Sequence, residues 1–405
     1  MTLIIGTDEA GYGPNLGPLV VAATAWRVEA TPANAAVYLE TAVAGAQRDT
    51  EALWPEKIRQ RGNRRASGRT MPLWADSKHI YRAGAGFCAL EQGVLVALSL
   101  VNDPDADTFA HAGHAGPVIG SPVNQTNTVP RQWPSLEAAL GQIGPEIADC
   151  RTSGVASESG GHPSTTQWAL LPTLCLPHQA DADACCARAA GMRMILDALG
   201  VSLVAVACRA IYPAEFNALL CQGLNKSDIL SRTTLALAAS LRTKANAEPA
   251  LIWCDRHGGR KHYSALVAQH FGATLVQTLA ETPARSAYRV PAQAKADLTE
   301  AQADLTEAQA DLTEAQADLN QAQAANLDIE FNVGGESQVP VAVASMTAKY
   351  VRELAMHAFN AFWSSRSPGL NPTAGYPVDA LRWRCEARDA IAEAGVHDKD
   401  LWRSV

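Results

Sequence analysis

Apolar and polar positions along the chain alternate between short β-like runs and helical repeats. Leu3, Ile4 and Ile5 form an apolar run that reads as a buried strand. Asp8 and Glu9 fall where that run ends, and Gly11, Gly13, Pro14, Gly17 and Pro18 then break any regular structure. Leu19–Val28 resumes a β-rich apolar run, so the pattern predicts two strands joined by a glycine-rich loop. Residues 31–72 carry Ala, Arg and Gly without a clean period and read as a variable excursion. After Leu73-Trp74-Ala75-Asp76-Ser77-Lys78, a helical pattern runs through Phe87, Leu90, Val94, Leu98 and Val101, with Asp76 or Ser77 available as a cap. Residues 102–180, rich in Asp, Gly, Pro, Ser, Thr and His, read as an insertion or long loop.

The second half is more regular. A helix is expected over 181–199, then a strand over Val201–Ala207, then a long helix opening near Leu224-Asn225 and reaching about Lys244. Ala250–Asp255 is an apolar strand that closes on one aspartate. The strand–helix–strand crossing predicts a parallel neighbour in an α/β sheet. In such sheets ligands gather outside the carboxyl ends of the strands, which places Asp8 and Asp255 on adjacent strands at one edge. A third insertion spans 290–327. Within it, residues 296–323 read ADLTEAQ three times and then ADLNQAQ. Leu298, Leu305, Leu312 and Leu319 mark one seam and Ala301, Ala308, Ala315 and Ala322 the other. That seam is thin for a coiled coil and reads as an exposed helical insertion, with a partner helix as the alternative. Asp328–Val333 is a strand, and a helix of small residues starts near Val341.

Composition narrows the class. A chain of 405 residues with 47% hydrophobic and 18% charged positions is globular rather than disordered. Its net charge of −8 excludes a broadly basic nucleic-acid coat protein but leaves room for a local basic groove. Residues 56–70 hold six Lys or Arg, and Arg256-His257-Gly258-Gly259-Arg260-Lys261-His262 form a second cluster; each suits a solvated loop or a phosphate contact. Nine cysteines without a CxxC pair indicate neither a zinc ribbon nor a disulfide framework. His111, His114, His162 and His178 match no metal spacing. With no signal-like or membrane-length apolar segment, a cytoplasmic protein is expected.

Two adjacent carboxylates beside a bare-backbone loop suit a divalent cation and a phosphate, because carboxylates are hard oxygen ligands and glycines admit close backbone approach. The same pair would also serve to cap a turn. Five stretches taken in order, DEAGYG, DSK, the strand ending in Asp255, GES…ASMTAK and GYP, resemble the motifs of the type 2 ribonucleases H, HII and HIII. They span residues 6 to 377. The resemblance implies one ribonuclease H-like α/β domain over 1–405: a mixed five-stranded sheet flanked by helices, with C-terminal helices and the insertions above. It implies hydrolysis of the RNA strand of RNA/DNA hybrids, or of ribonucleotides embedded in duplex DNA. Asp8, Glu9, Asp255 and Glu336 would be the catalytic metal ligands for Mg²⁺ or Mn²⁺ in a two-metal site. Gly11, Tyr12, Gly13, Ser77, Lys78 and Tyr376 would contact substrate. Two departures stand out: Glu336 where the family has Asp, and Tyr12 where it has Arg or Lys. A metal-dependent nuclease with another nucleic-acid substrate and a non-catalytic hybrid-binding protein are the alternatives. No protein partner is specified beyond the repeat at 296–323.

Overall fold

A computed structural model describes residues 1–54, 72–81, 86–101, 176–243, 248–292 and 326–404. The basic run at 56–70, most of the 102–180 insertion and the heptad repeat lie outside the described residues. The chain opens with strands β1 (Thr2–Ala10) and β2 (Leu19–Val28), followed by helix α1 (Pro32–Asp49). Helices α2 (Ser77–Tyr81), α3 (Gly86–Leu100) and α4 (Ala182–Ala198) lead to strand β3 (Val201–Ile211). Helices α5 (Pro213–Cys221) and α6 (Lys226–Thr243) precede β4 (Ala250–Asp255) and α7 (Ser264–Phe271). A hairpin of β5 (Gln277–Glu281) and β6 (Arg285–Val290) comes next, then β7 (Leu327–Asn332). Helix α8 (Val339–Arg366) and the short helices α9 (Pro377–Glu386), α10 (Arg388–Ala394) and α11 (Asp398–Leu401) complete it. Among the described residues no helix is long and apolar enough to cross a membrane.

The sheet has seven strands in the order β3-β2-β1-β4-β7-β6-β5, not the five expected. The excess comes from the β5–β6 hairpin, which extends the β7 edge in antiparallel fashion. β4 lies parallel to both β1 and β7, whereas β2 and β3 are antiparallel. The parallel neighbour of β4 is therefore β1 and not β3, from which two strands separate it. Residues 32–49, which show no clean period, form α1 and bury Leu39 and Val43 against the core. Three alanines on that face, Ala35, Ala42 and Ala46, weaken the helical signal without weakening the packing.

Strand alternation divides β1 between two cores. Ile4 joins Val20, Trp26 and the apolar faces of α1, α3, α4 and α8. Leu3 and Ile5 join Leu19, Val21 and residues of α5, α6 and α7 on the other face. Helices on both faces of a sheet with a parallel centre are the expected solution, since a parallel pair buries both of its sides. Helix α8 meets β1 at Gly6, where an added Cβ would overlap the backbone of Pro340. The Thr24 hydroxyl donates to the Pro340 carbonyl at 2.8 Å and fixes the start of that helix on β2. The close crossing carries Ser345, Lys349 and Arg352 along α8 past the end of β1.

One buried carboxylate ties the helical layer together. Glu91 on α3 is fully buried and accepts the backbone N–H groups of His178, Gln179 and Ala180 at 2.6 to 2.7 Å. The Tyr350 hydroxyl of α8 donates to it at 2.8 Å. Glu91→Ala leaves three partly exposed N–H groups and the buried Tyr350 phenol without their acceptor, and the expected cost is about 2–4 kcal/mol. Denaturant unfolding measures it, and a loss below ~1 kcal/mol would mean that water replaces the carboxylate.

Candidate active site

β1 and β4 end side by side, with Thr7 opposite Cys254, so Asp8 and Asp255 follow at the same sheet edge. Glu9 continues β1 by one position. Beyond β7, a tight turn at Gly335–Ser337 presents Glu336, and the Gly335 N–H donates to Asp255 Oδ1 at 3.1 Å. These four carboxylates line one cleft of about 300 Å³, together with Gly11, Ser77, Lys78, Tyr81, Lys349, Arg352 and Tyr376. Asp328 and Glu330 of β7 stand apart from it, paired across the strand with Arg289 and Arg285.

The electrostatics of the cleft are those of crowded acids. Asp8 is buried, one carboxylate oxygen accepts the Glu9 N–H at 2.8 Å, and the other, Oδ2, has no hydrogen-bond partner. Burial, then the charges of Glu9 and Asp255, raise the Asp8 carboxyl well above the usual carboxylate range. Burial and Asp255 push Glu9 up to about 8, against the opposing effect of Lys78. Glu336 is raised by burial although Lys78 Nζ lies 3.0 Å from its Oε1. The Ser345 hydroxyl donates to Ser77 at 2.9 Å and lies 3.3 Å from Glu336. Like-charged carboxylates withdrawn from water repel one another unless a proton or a cation intervenes.

Whether the donor set suits a divalent ion follows from these contacts. Among the described residues no three His, Cys, Asp or Glu side chains stand close enough together to hold a metal as they are. The set nevertheless fits one: its donors are hard oxygens, Asp8 Oδ2 is buried without a partner, and burial with neighbouring carboxylate charge raises Asp8 and Glu9. Asp8, Glu9, Asp255 and Glu336 would hold the ion.

The glycine loop after β1 is positioned from behind. Gly11 has φ +83°, and a side chain there would overlap Arg352 and the Pro18 carbonyl. Arg403, almost fully buried, donates to the Gly11 carbonyl at 2.7 Å and also to that of Pro14. The Arg403 N–H donates to Asn15 O at 2.9 Å, and Leu16 bridges to Trp402. Tyr376 is half exposed at the mouth of the cleft, where Gly13 also lies. Tyr12 differs from the other motif residues: its ring turns to Lys226 and Gly258 rather than lining the cleft.

Lys349, which closes the ASMTAK stretch, Arg352 just after it, and Arg403 are functional candidates to which the motif reading assigns no role. Ser345, Lys349 and Arg352 recur at i, i+4 and i+7, a polar stripe along the largely apolar first half of the helix, and that spacing is a usable signal. Arg403 has none, because its role arises only when the chain returns to the loop.

No known family model matches this chain, and no curated protein does. Among solved structures it is similar to a chain in the structure of the PCNA:RNase HII complex from Archaeoglobus fulgidus. The TM-score is 0.35 at 10% identity, over 98% of this chain and 93% of that one.

Proposed function

We propose that this chain is a metal-dependent endonuclease that hydrolyses the RNA strand of RNA/DNA hybrids or ribonucleotides embedded in duplex DNA. The observation that carries the reading is the convergence of Asp8, Glu9, Asp255 and Glu336 in one cleft, with Asp8 Oδ2 buried and unpartnered. The order of the DEAGYG, DSK, GES…ASMTAK and GYP motifs supports the substrate class. Divalent ions, when bound, supply charge neutralisation at the phosphate and a more acidic water. The four carboxylates hold them. Lys349 and Arg352 line the same cleft and offset phosphate charge, and Lys78 balances Glu336. Glu9, raised to about 8, retains a proton at neutral pH in the metal-free protein. The half-exposed Tyr376 ring suits packing on a sugar, and the bare backbone at Gly11 suits close approach to a 2′-hydroxyl.

A second reading rests on Tyr12. Its side chain faces Lys226 instead of the cleft, and a loop altered in that way fits a nuclease acting on another nucleic acid. Cleavage of matched RNA/DNA hybrid, single-ribonucleotide duplex and all-DNA duplex in Mg²⁺ or Mn²⁺ separates the readings. The expected result is cleavage of the first, the second or both, with the all-DNA duplex intact. Equal cleavage of all-DNA duplex favours the second reading; hybrid binding without cleavage in either metal makes the protein a non-catalytic binder.

A further inference from the structure

Tyr12 carries a cation on its ring. Lys226, the first residue of α6, places Nζ 4.4 Å from the centroid of the Tyr12 ring. Among the described residues no carboxylate pairs with this ammonium within salt-bridge distance. Its neighbour in charge is a second cation: burial, and then the Arg403 guanidinium, lower the Lys226 pKa. Arg403 is itself 1% exposed, and its Nε and Nη1 have no hydrogen-bond partner. Two cations thus stand close to the glycine loop, held by carbonyl oxygens and aromatic faces and by no acid. An arrangement of like charges partly withdrawn from water is unfavourable by itself and is relieved by an anion. Tyr12 directly follows Gly11, which lines the carboxylate cleft, so the glycine loop joins the cation to that cleft.

We propose that Lys226, seated on Tyr12, is a phosphate-binding residue that takes a second phosphate of the nucleic-acid strand occupying the carboxylate cleft. The inference rests on the nuclease reading and extends it, since it moves a fixed charge from the glycine loop to the start of α6. An ammonium on an aromatic face is attracted by the ring quadrupole while its outer side stays free for a phosphate. The bland role, a tether between α6 and the loop, requires only the contact and not the charge.

The two are separable with Lys226→Met, which keeps an unbranched side chain on the ring and removes the charge. Binding of a fluorescent duplex carrying one ribonucleotide is measured across a salt series in the Asp255→Asn background, which avoids turnover. Lys226→Met is expected to weaken binding about fivefold at low salt and to reduce the log–log salt slope by about 0.9. Lys226→Arg restores both. If Lys226→Met binds with unchanged affinity and slope, the residue is only a tether and the proposal fails, while the carboxylate site stands or falls on cleavage alone. If the chain with Lys226 intact binds none of the duplexes at any salt, the nuclease reading and this proposal fall together.

Discussion

Asp255→Asn is expected to reduce cleavage by about three orders of magnitude, or ~4 kcal/mol of transition-state stabilisation, with the fold intact. The carboxylate oxygen that accepts the Gly335 N–H at 3.1 Å has an amide counterpart in Asn, so the turn carrying Glu336 keeps its anchor. What is lost is charge at a sheet edge where Asp8 and Glu9 already repel Asp255. The metal-free variant should therefore unfold at a temperature equal to or above that of the parent. Single-turnover cleavage in Mg²⁺, paired with thermal unfolding in chelator, tests both halves. Near-parental cleavage removes Asp255 from the reacting centre. Lost cleavage with a sharply lower unfolding temperature assigns it a structural role instead.

The second large effect concerns stability and pH. Glu9 titrates at about 8 in the folded chain, against 4.5 for an unperturbed Glu, and Asp8 is raised as well. A carboxyl whose folded pKa lies above its unfolded value holds its proton more tightly in the folded state. Its stabilisation is complete below the unfolded pKa and disappears as pH rises through the folded one. The metal-free protein should accordingly lose on the order of 3 kcal/mol between pH 4.5 and 8.5, roughly 3–5 °C in unfolding temperature. Mg²⁺ or Mn²⁺ should restore that loss, and do so more at pH 8 than at pH 5, because the ion binds the ionised carboxylates. Thermal scans with and without metal measure this without any appeal to activity. Glu9→Gln should flatten the pH dependence. A metal response independent of pH would mean that the ions bind elsewhere.

Much of this arrangement was legible in the chain because its central strands are buried on both faces. Leu3-Ile4-Ile5, Leu19–Val28 and Ala250–Asp255 are apolar runs of strand length, and the sheet has strands at all three. The edge shared by Asp8 and Asp255 followed from crossover geometry alone. The hairpin of β5 and β6 was not legible, since β5 is mostly exposed and an exposed edge strand needs no apolar alternation. The adjacency of the strands that carry Asp8 and Asp255 is as read, since β1 lies parallel beside β4. By contrast, a helix between two strands specifies only that they run parallel and not that they touch, and β1 and β2 stand between β3 and β4. Tyr12 marks another limit. The motif fixes its place in the loop, whereas the direction of its ring depends on Lys226, more than two hundred residues away.

The clasp that Arg403 places on Gly11 joins residues 392 positions apart, and this sets a timetable for the loop. Strand β1 leaves the ribosome well before the guanidinium that fixes the loop after it, which emerges only when residue 403 does. At ordinary rates of synthesis that interval is roughly 20 to 80 s. During it, Gly11 and Pro14 lack the donor that holds their carbonyls, and β4, β7 and α8 arrive one after another. The loop that walls the carboxylate cleft is therefore clasped only after the strands and the long helix around it have been made.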